Sequence, residues 1–308
     1  MPARERNVFP LVPRYRVAGL PLGGRASLRR GHGTDVAGSR AYVRGDPIST
    51  IDWRASARLS TARDRDEFVV RERYAEEAPR VVVVRDRRPA MRLYRPPLRF
   101  LDKGAAVDAA VGAIAASAQA VNSSVAYVDH GEGGEAHWLP PGGRGALERI
   151  EARGRADADR APADAVARAL EFLSSVHGEL SSGSFVFVLS DFLGTAVPET
   201  LWLTVAARRW EAVPVVVQDP TWESGFPAVP GVVLPLADAE SGAQLDVRVS
   251  RREAARLHEQ HARRRDELLD RFRLLGLEPV LLDTSEPDEI VLRFFDWAER
   301  RRDLRSRR

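Results

Sequence analysis

The sequence of 308 residues contains no cysteine. The chain therefore cannot form disulfides, cysteine-ligated zinc sites or iron–sulfur sites, and it has no thiol nucleophile. Long apolar runs are missing too, because no stretch reaches the roughly 18 consecutive apolar residues of a membrane-spanning helix. The first residues also lack the apolar segment of a signal peptide. These absences predict a cytoplasmic protein without a membrane span.

Lysine is almost absent, since Lys103 is the only one among the 47 basic residues. The 44 acidic residues leave a formal net charge of +3, so the chain has no strong positive field. The one concentrated basic run is the segment 300–308, which is typical of a solvated tail. We predict no nucleic-acid partner, and binding of nucleic acid through this arginine tail is the alternative.

Strands and helices alternate after residue 78. The runs 81–84 and 185–189 are rich in β-branched and aromatic residues, which indicates strands buried on both faces. Between such runs, apolar residues recur three and four positions apart, as on one face of a helix. Alternation over about 200 residues predicts an α/β fold with a mainly parallel sheet and helices on both faces. The Gly- and Pro-rich segment 130–161 is predicted to be a long loop with at most one short helix.

The segment before residue 78 has a different character. Turn residues are common in it and hydrophobic periodicity is scarce. We therefore predict two domains: an N-terminal segment with little regular structure (1–78) and an α/β domain (79–308).

Two aspartates stand directly after predicted buried strands. Asp86 follows the run 81–84, and Asp191 follows the run 185–189. Open parallel sheets bind ligands outside the carboxyl ends of their strands, where the strand order reverses. Two carboxylates at that edge can hold a cation, or they can simply cap turns.

The first of these strands resembles the first strand of a von Willebrand factor A domain, because Pro89 and Met91 follow Asp86 closely. In such domains an Asp-x-Ser-x-Ser pattern begins a metal-ion-dependent adhesion site. Asp191 resembles the aspartate that completes this site at the fourth strand. The resemblance implies a von Willebrand factor A-like fold, with Asp86 and Asp191 as metal ligands.

The adhesion-site pattern is degenerate in this sequence. Its two serine positions are Arg88 and Ala90, so two hydroxyl ligands for Mg²⁺ are missing. A guanidinium between the carboxylates repels a divalent cation and attracts Asp86 or Asp191. We expect Arg88, or its neighbour Arg87, to replace the metal with a salt bridge and to leave a vestigial site. The alternatives are that both arginines point to solvent, or that the aspartates form a metal-dependent binding or hydrolytic site.

A second motif is similar to the signature of the family catalogued as domain of unknown function 58. This signature combines Arg-x-Tyr, Gly-Asp, Ile-Asp-Trp and Ser-Ala-Arg. It comprises Arg40, Tyr42, Gly45, Asp46, Ile51, Asp52, Trp53, Arg54, Ser56 and Arg58. Such residues suit a protein-recognition patch. They equally suit an internal clamp, in which Asp46 and Asp52 pair with Arg40 and Arg58; we favour the clamp, because an irregular segment needs internal partners for its backbone.

The family resemblance also implies a role. Members of this family often accompany MoxR-type AAA+ ATPases, which are thought to act as chaperones. We therefore expect a non-enzymatic adaptor or substrate-recruiting subunit that needs no cofactor, while its partner hydrolyses ATP. The sequence has no phosphate-cradling Gly-Lys-Ser/Thr motif and no recognised catalytic triad, which agrees with this expectation. It does not indicate the client protein.

Overall fold

The chain divides into two compact units, one of Met1–Tyr15 with Pro79–Arg308 and one of Arg16–Ala78. The computed structural model describes residues 8–13, 36–42, 48, 51–63, 67–73, 80–92, 101–131, 135–142, 145–156, 161–176, 180–223, 231, 233–238 and 242–306.

Each unit has its own secondary structure. The smaller unit contains β1 (Val36–Ala41), α1 (Trp53–Arg63) and β2 (Val69–Arg73). The larger unit begins with β3 (Val81–Arg85), the 3-10 turn Pro89–Arg92, α2 (Lys103–Ala120), β4 (Val125–His130), β5 (Ala136–Gly142), α3 (Ala146–Arg155) and α4 (Ala165–Ser175). It continues with β6 (Phe185–Ser190), α5 (Glu199–Ala207), β7 (Glu211–Val217), β8 (Val233–Ala237), β9 (Gln244–Arg248), α6 (Arg251–Leu274), β10 (Val280–Leu282) and α7 (Pro287–Ser306).

Six strands of the larger unit form one sheet in the order β10-β7-β6-β3-β4-β5. Neighbouring strands pair in parallel, except that β5 pairs antiparallel with β4 at the edge. Within this sheet, the first strand along the chain is the central strand β3. The next two, β4 and β5, lie on one side of β3, and β6 lies on its other side. The strand order therefore reverses between β3 and β6, and this switch point opens a crevice at the carboxyl ends of the strands.

Helices cover both faces of this sheet, which explains why β6 is buried along its whole length. Phe185 and Phe187 belong to a core formed with α2 and α7. Val186 and Val188, which point to the opposite face, belong to a core formed with α4 and α5. The predicted α/β architecture, a mainly parallel sheet with helices on both faces, is confirmed. In the described parts of the chain, none of the helices combines the length and the apolar character needed to cross a membrane.

The first domain boundary needs correction, because Phe9 belongs to the core of the larger unit. Its side chain is 1% exposed and stacks on Phe294 with ring centroids 4.6 Å apart. Its backbone N–H donates to Oγ of Ser117 at 3.0 Å. Met1–Tyr15 therefore group with the α/β unit and not with the N-terminal segment. A single phenylalanine among prolines has no periodicity, so the sequence does not reveal this contact.

Before residue 78, the described residues include three regular elements that the sequence does not indicate. Strands β1 and β2 pair antiparallel, with Arg40 opposite Val70. Helix α1 stands between them in the sequence, and only Ser56 of its residues is buried. Because α1 carries arginine, serine and alanine and no apolar stripe, its sequence lacks the periodicity that indicates a helix.

The segment 130–161 contains more structure than one short helix. Strand β5 extends the sheet through Trp138 and ends in Pro140, Pro141 and Gly142. Proline has no backbone N–H to donate to a neighbouring strand. It is tolerated in β5 because β5 is an edge strand, which has a neighbour on one side only. These prolines disguise the strand in the sequence, and helix α3 follows it directly.

Candidate functional site

Asp86 and Asp191 lie side by side at the switch point of the sheet. Each follows one of the two central strands, β3 or β6, and they are 2% and 0% exposed. The backbone N–H of Asp86 donates to the carbonyl of Leu189 at 2.9 Å, so the pairing of the two strands extends to Asp86 itself. Parallel pairing therefore brings the two carboxylates to the same place.

The guanidinium of Arg88 bridges these carboxylates. Its Nε and Nη2 donate to Oδ2 of Asp86 at 3.0 and 2.7 Å, and Nη2 also donates to Oδ1 of Asp191. The backbone N–H of Arg88 adds a hydrogen bond of 3.0 Å to Oδ1 of Asp86. This is the salt bridge expected of Arg88. Burial opposes the charge of Arg88, but Asp86 and Asp191 outweigh it and raise its pKa, so the guanidinium stays charged.

The donor set at the switch point does not fit a divalent cation. The guanidinium lies against the oxygens that would coordinate the metal, and its fixed charge repels a cation. Arg88 and Ala90 stand where hydroxyl ligands would be needed. Across the residues that the structure describes, no group of three or more His, Cys, Asp or Glu side chains is arranged to hold a metal ion.

Lys103 joins the same network from the first turn of α2, although only 4% of it is exposed. Its Nζ donates to Oδ2 of Asp191 at 2.9 Å and to Oε1 of Glu223. Burial opposes the lysine charge, but the two carboxylates outweigh it and raise the pKa of Lys103. Burial raises the pKa of Glu223, and the ion pair with Lys103 does not reverse this shift. Burial also opposes the charge of Asp191, but Lys103 and Arg88 outweigh it and lower the pKa of Asp191.

The loop after β7 is fastened to this network. Nε2 of Gln218 donates to the backbone carbonyl of Asp191 at 2.7 Å. Oε2 of Glu223 accepts from the backbone N–H of Asp219 at 2.8 Å, and the Asp219 carboxylate accepts from the N–H of Leu101. Ion pairs and hydrogen bonds therefore join the ends of β3, β6 and β7 to the start of α2.

The turn after β6 is shaped by Ser190 and Phe192. Oγ of Ser190 donates to Oδ2 of Asp86 at 2.6 Å and accepts from the N–H of Phe192 at 2.9 Å. Phe192 has φ of 54°, a left-handed conformation that is uncommon outside glycine. Its ring packs against Phe272 of α6 with centroids 5.2 Å apart. The hydrogen bond and the ring contact offset the cost of this backbone conformation.

Arg87 belongs to a different cluster. Its Nη1 lies 3.5 Å from Oδ2 of Asp129, and its two terminal nitrogens donate to the carbonyls of Arg153 and Ala156 at 2.5 Å. The expectation that Arg87 could replace the metal is therefore wrong. The alternative in which both arginines point to solvent is wrong as well, because Arg87 and Arg88 are 3% and 4% exposed.

Asp129 is the centre of this second cluster. Its carboxylate is fully buried and accepts from Nε and Nη2 of Arg153 at 2.9 and 2.8 Å, and from the hydroxyl of Tyr127 at 2.7 Å. Burial alone would raise the pKa of Asp129, but the hydrogen bonds from Arg153 and Tyr127 and the nearby Arg87 lower it. This cluster ties β4 to α3.

In the smaller unit, Asp52 and Ser56 have structural roles. Oδ1 of Asp52 accepts from the N–H of Ala55 at 3.1 Å and caps α1. Oγ of Ser56 donates to the carbonyl of Asp52 at 2.7 Å and accepts from the N–H of Val69 at 2.9 Å. Ile51 forms an isolated bridge with Val70. These bonds fasten the start of α1 to β2.

Arg58 does not form the ion pair with Asp52 that the internal clamp allows. Nε of Arg58 donates to the carbonyl of Arg54 at 3.2 Å, and Asp52 is not among its contacts within the described residues. Trp53, Arg54 and Arg58 are exposed, and Tyr42 is half-buried. Gly45, Asp46 and the side chain of Arg40 lie outside the described residues.

The basic run 300–308 is not simply a solvated tail. Helix α7 extends to Ser306, and Arg301 is 4% exposed. Arg301 pairs with Glu211 and lies over the ring of Trp297, with Cζ 4.9 Å from the centroid. Arg300 and Arg302 on either side of it are exposed.

Several residues of the site escape sequence reasoning. Lys103 and Glu223 have no motif, although a single lysine in an arginine-rich chain is itself a signal. Ser190 stands beside Asp191 and could have been inferred from its place at a strand end. Asp129, which nearly ends β4, could have been inferred in the same way. Gly194 lies against the guanidinium of Arg88, and no sequence pattern indicates this contact.

Residues 38–267 match the family described as protein of unknown function DUF58. The chain belongs to the DUF58 family. No curated protein matches the sequence.

Solved structures similar to this DUF58 protein share little sequence with it. The conserved hypothetical protein BatB from Bacteroides thetaiotaomicron is 13% identical, with a TM-score of 0.40 over 72% of this chain and 99% of that chain. An aerotolerance-related membrane protein from Bacteroides fragilis NCTC 9343 is 9% identical, with a TM-score of 0.38 and the same coverage. Proximal thread matrix protein 1 from the mussel byssus is 12% identical, with a TM-score of 0.35 over 46% of this chain and 38% of that chain.

Proposed function

We propose that this DUF58 protein is a non-enzymatic interaction module whose switch point is closed by an arginine in place of a metal ion. The observation that carries the proposal is the guanidinium of Arg88 between Asp86 and Asp191. In open parallel sheets this crevice is where ligands and reacting groups are held. Here an internal ion pair fills it.

The surrounding charges support a structural use of the site. Two cations at the switch point lie between carboxylates: Arg88 between the two aspartates, and Lys103 between Asp191 and Glu223. A catalytic acid or base needs a proton to exchange near neutral pH. Ion pairs instead hold Lys103 charged and lower the pKa of Asp191. Burial raises the pKa of Glu223, but both of its carboxylate oxygens already accept hydrogen bonds, from Lys103 and from the N–H of Asp219. The network thus joins the loops at this edge of the sheet.

The partner we propose is a MoxR-type AAA+ ATPase, because the resemblance to domain of unknown function 58 proteins implies such an association. The ATPase would hydrolyse ATP, and this chain would act as an adaptor or substrate-recruiting subunit. The stiffened α/β unit supports this role, since a preorganised surface binds a partner with a smaller entropic cost.

Co-purification tests the partnership. A tagged MoxR-type ATPase from the same host is expressed with this chain, and a tagged AAA+ ATPase of another class is the control. We expect the chain to be retained by the first and not by the second. Equal retention on both, or none on either, contradicts the proposal.

Calorimetric titration with Mn²⁺ tests the absence of metal chemistry. We expect no stoichiometric binding to the wild-type chain, because the guanidinium of Arg88 repels the ion. Tight binding at one ion per chain that is lost in Asp86→Ala would instead support a metal-dependent binding or hydrolytic site.

A further inference from the structure

The smaller unit presents a row of aromatic side chains beside the residues that hold it together. Phe68 contacts Tyr42 with ring centroids 6.3 Å apart and Trp53 with centroids 6.1 Å apart. Trp53 is 59% exposed and Phe68 is 44% exposed. Tyr42, Phe68 and Trp53 are called the aromatic row below. Large aromatic side chains are the commonest energetic anchors of protein interfaces, so their exposure indicates a binding surface.

The aromatic row is held in place from beneath. The backbone N–H of Tyr42 donates to the carbonyl of Phe68 at 2.8 Å. Asp52, which directly precedes Trp53, donates its N–H to the carbonyl of Val69 at 2.8 Å. Because both ends of the row are bonded to the same strand segment, its rings are preorganised and lose little freedom on binding.

Positive charge accompanies the aromatic row. Helix α1, which Trp53 begins, contains arginines and no acidic residue. Arg54 and Arg58 are exposed and lie one turn apart on this helix. Arg63 at its far end instead pairs with Glu67 at 3.0 Å. The first two turns of the helix therefore offer two exposed guanidinium groups, and such groups bind carboxylates bidentately.

We infer that the aromatic row, with Arg54 and Arg58, is a docking surface for an acidic segment of a partner protein that also carries an aliphatic or aromatic side chain. The carboxylates would pair with the guanidinium groups, and the apolar side chain would pack on Trp53. This inference rests on the proposed function, because it assigns the contact surface of that interaction module.

The ring angles favour a protein over a nucleic acid. Single strands are bound by a groove of cations with a series of open ring faces. The rings of the aromatic row meet at 74° and 82°, so they turn edges as well as faces outward.

Binding to the purified MoxR-type ATPase tests the surface on the full chain. We expect Trp53→Ala, and the double variant Arg54→Glu with Arg58→Glu, each to weaken binding about tenfold or more, as loss of an anchor does. Two controls remove the same kinds of group elsewhere: Leu274→Ala, at a residue 89% exposed on α6, and Arg300→Glu with Arg302→Glu on α7. The controls should bind as the wild type does. Circular dichroism must show an unchanged fold in every variant.

The outcomes separate this inference from the proposed function. If the ATPase binds the wild type and all variants alike, the proposed function stands and the surface assignment is overturned. If the ATPase does not bind at all, a second probe tests the surface by itself. This probe is a labelled synthetic peptide of glutamate and leucine, and its binding is measured by fluorescence anisotropy. A labelled oligo-dT strand is measured in the same way for comparison. Peptide binding that Trp53→Ala weakens keeps the surface while the proposed partner fails. No peptide binding, or binding of oligo-dT alone, overturns the surface as inferred.

Discussion

Gly194 lies directly against the guanidinium of Arg88. A Cβ atom at position 194 would be 2.3 Å from Nη1 and 2.6 Å from Cζ of Arg88. No real Cβ atom comes so close to another heavy atom, and the guanidinium cannot give way without breaking its ion pairs with Asp86 and Asp191. The salt bridge at the switch point therefore requires glycine at a position in the neighbouring loop.

Gly194→Ala should destabilise the protein by about 1–3 kcal/mol, the usual cost of overpacking a filled site. Urea unfolding measures the change. Gly112→Ala is the matched control, because a Cβ there meets nothing within 4 Å. Gly112 lies inside α2, so this control should be neutral or stabilising by up to about 1 kcal/mol. Equal effects of the two substitutions would contradict the packing argument.

Arg88→Ser should leave Asp86 and Asp191 buried without their shared cation. We expect a loss of about 3–5 kcal/mol in the free energy of unfolding, as when one partner of a buried ion pair is removed. The serine also restores a hydroxyl ligand, so millimolar Mg²⁺ should raise the melting temperature of this variant and not that of the wild type. A wild-type melting temperature that rises with Mg²⁺ and falls back with EDTA would count against the arginine bridge.

Lys103 should resist amine-reactive reagents in the folded protein. Its Nζ is buried and its pKa is raised by Asp191 and Glu223, so no free amine is present near neutral pH. Because it is the only lysine, modification beyond the α-amino group reports on this one site. Mass spectrometry across a urea series should show modification that follows global unfolding. Rapid modification in buffer would mean that the network opens locally.

Asp129 should contribute to acid unfolding. Its pKa is lowered in the folded state, so its contribution is present above the ordinary value of about 4 and is lost as the pH falls through the lowered value. Asp129→Asn should cost about 3 kcal/mol at neutral pH, because Arg153 and Arg87 lose their buried counter-charge. It should also flatten the decline of stability below about pH 4. Unfolding curves for both proteins at several pH values provide the comparison, and parallel declines would show that Asp129 has no part in acid unfolding.

The three arginines at the end of the chain should behave differently. Arg301→Gln removes the buried cation that pairs with Glu211 and should cost about 3–5 kcal/mol. Exposed Arg300 and Arg302 should each tolerate glutamine within about 0.5 kcal/mol. Thermal melts distinguish the three variants. A filter-binding assay with DNA on the Arg300 and Arg302 variants also tests the arginine-tail alternative without disturbing the core.

Much of the architecture can be predicted from the sequence because it depends on local patterns. The buried runs at 81–84 and 185–189 have no polar alternation, and only a sheet covered on both faces accommodates such strands. Asp86 and Asp191 stand at the ends of those runs, so the parallel sheet brings them together. The substitution of serine by Arg88 could likewise be recognised as a charge that opposes a metal ion.

Other features depend on contacts between residues far apart in the chain. Phe9 stacks on Phe294 in the core, although the two residues are more than 280 positions apart in the sequence. No local pattern encodes such a pairing. Arg87 and Arg88 are neighbours with the same chemistry, yet successive side chains leave the end of a strand in opposite directions. Strand geometry therefore sends one to Asp129 and the other to Asp191.

The sequence by itself determined the alternation of strands and helices, the lack of thiol chemistry and the two carboxylates at the strand ends. Only the tertiary structure decided which cation joins these carboxylates, and that Lys103, Glu223 and Gly194 complete the site. The reason is physical: periodicity is a property of neighbouring residues, whereas an ion pair depends on where separate strands and loops converge. In the smaller unit too, contacts between separate elements decide burial: Trp53 is exposed, whereas Ser56, three residues further on, is buried.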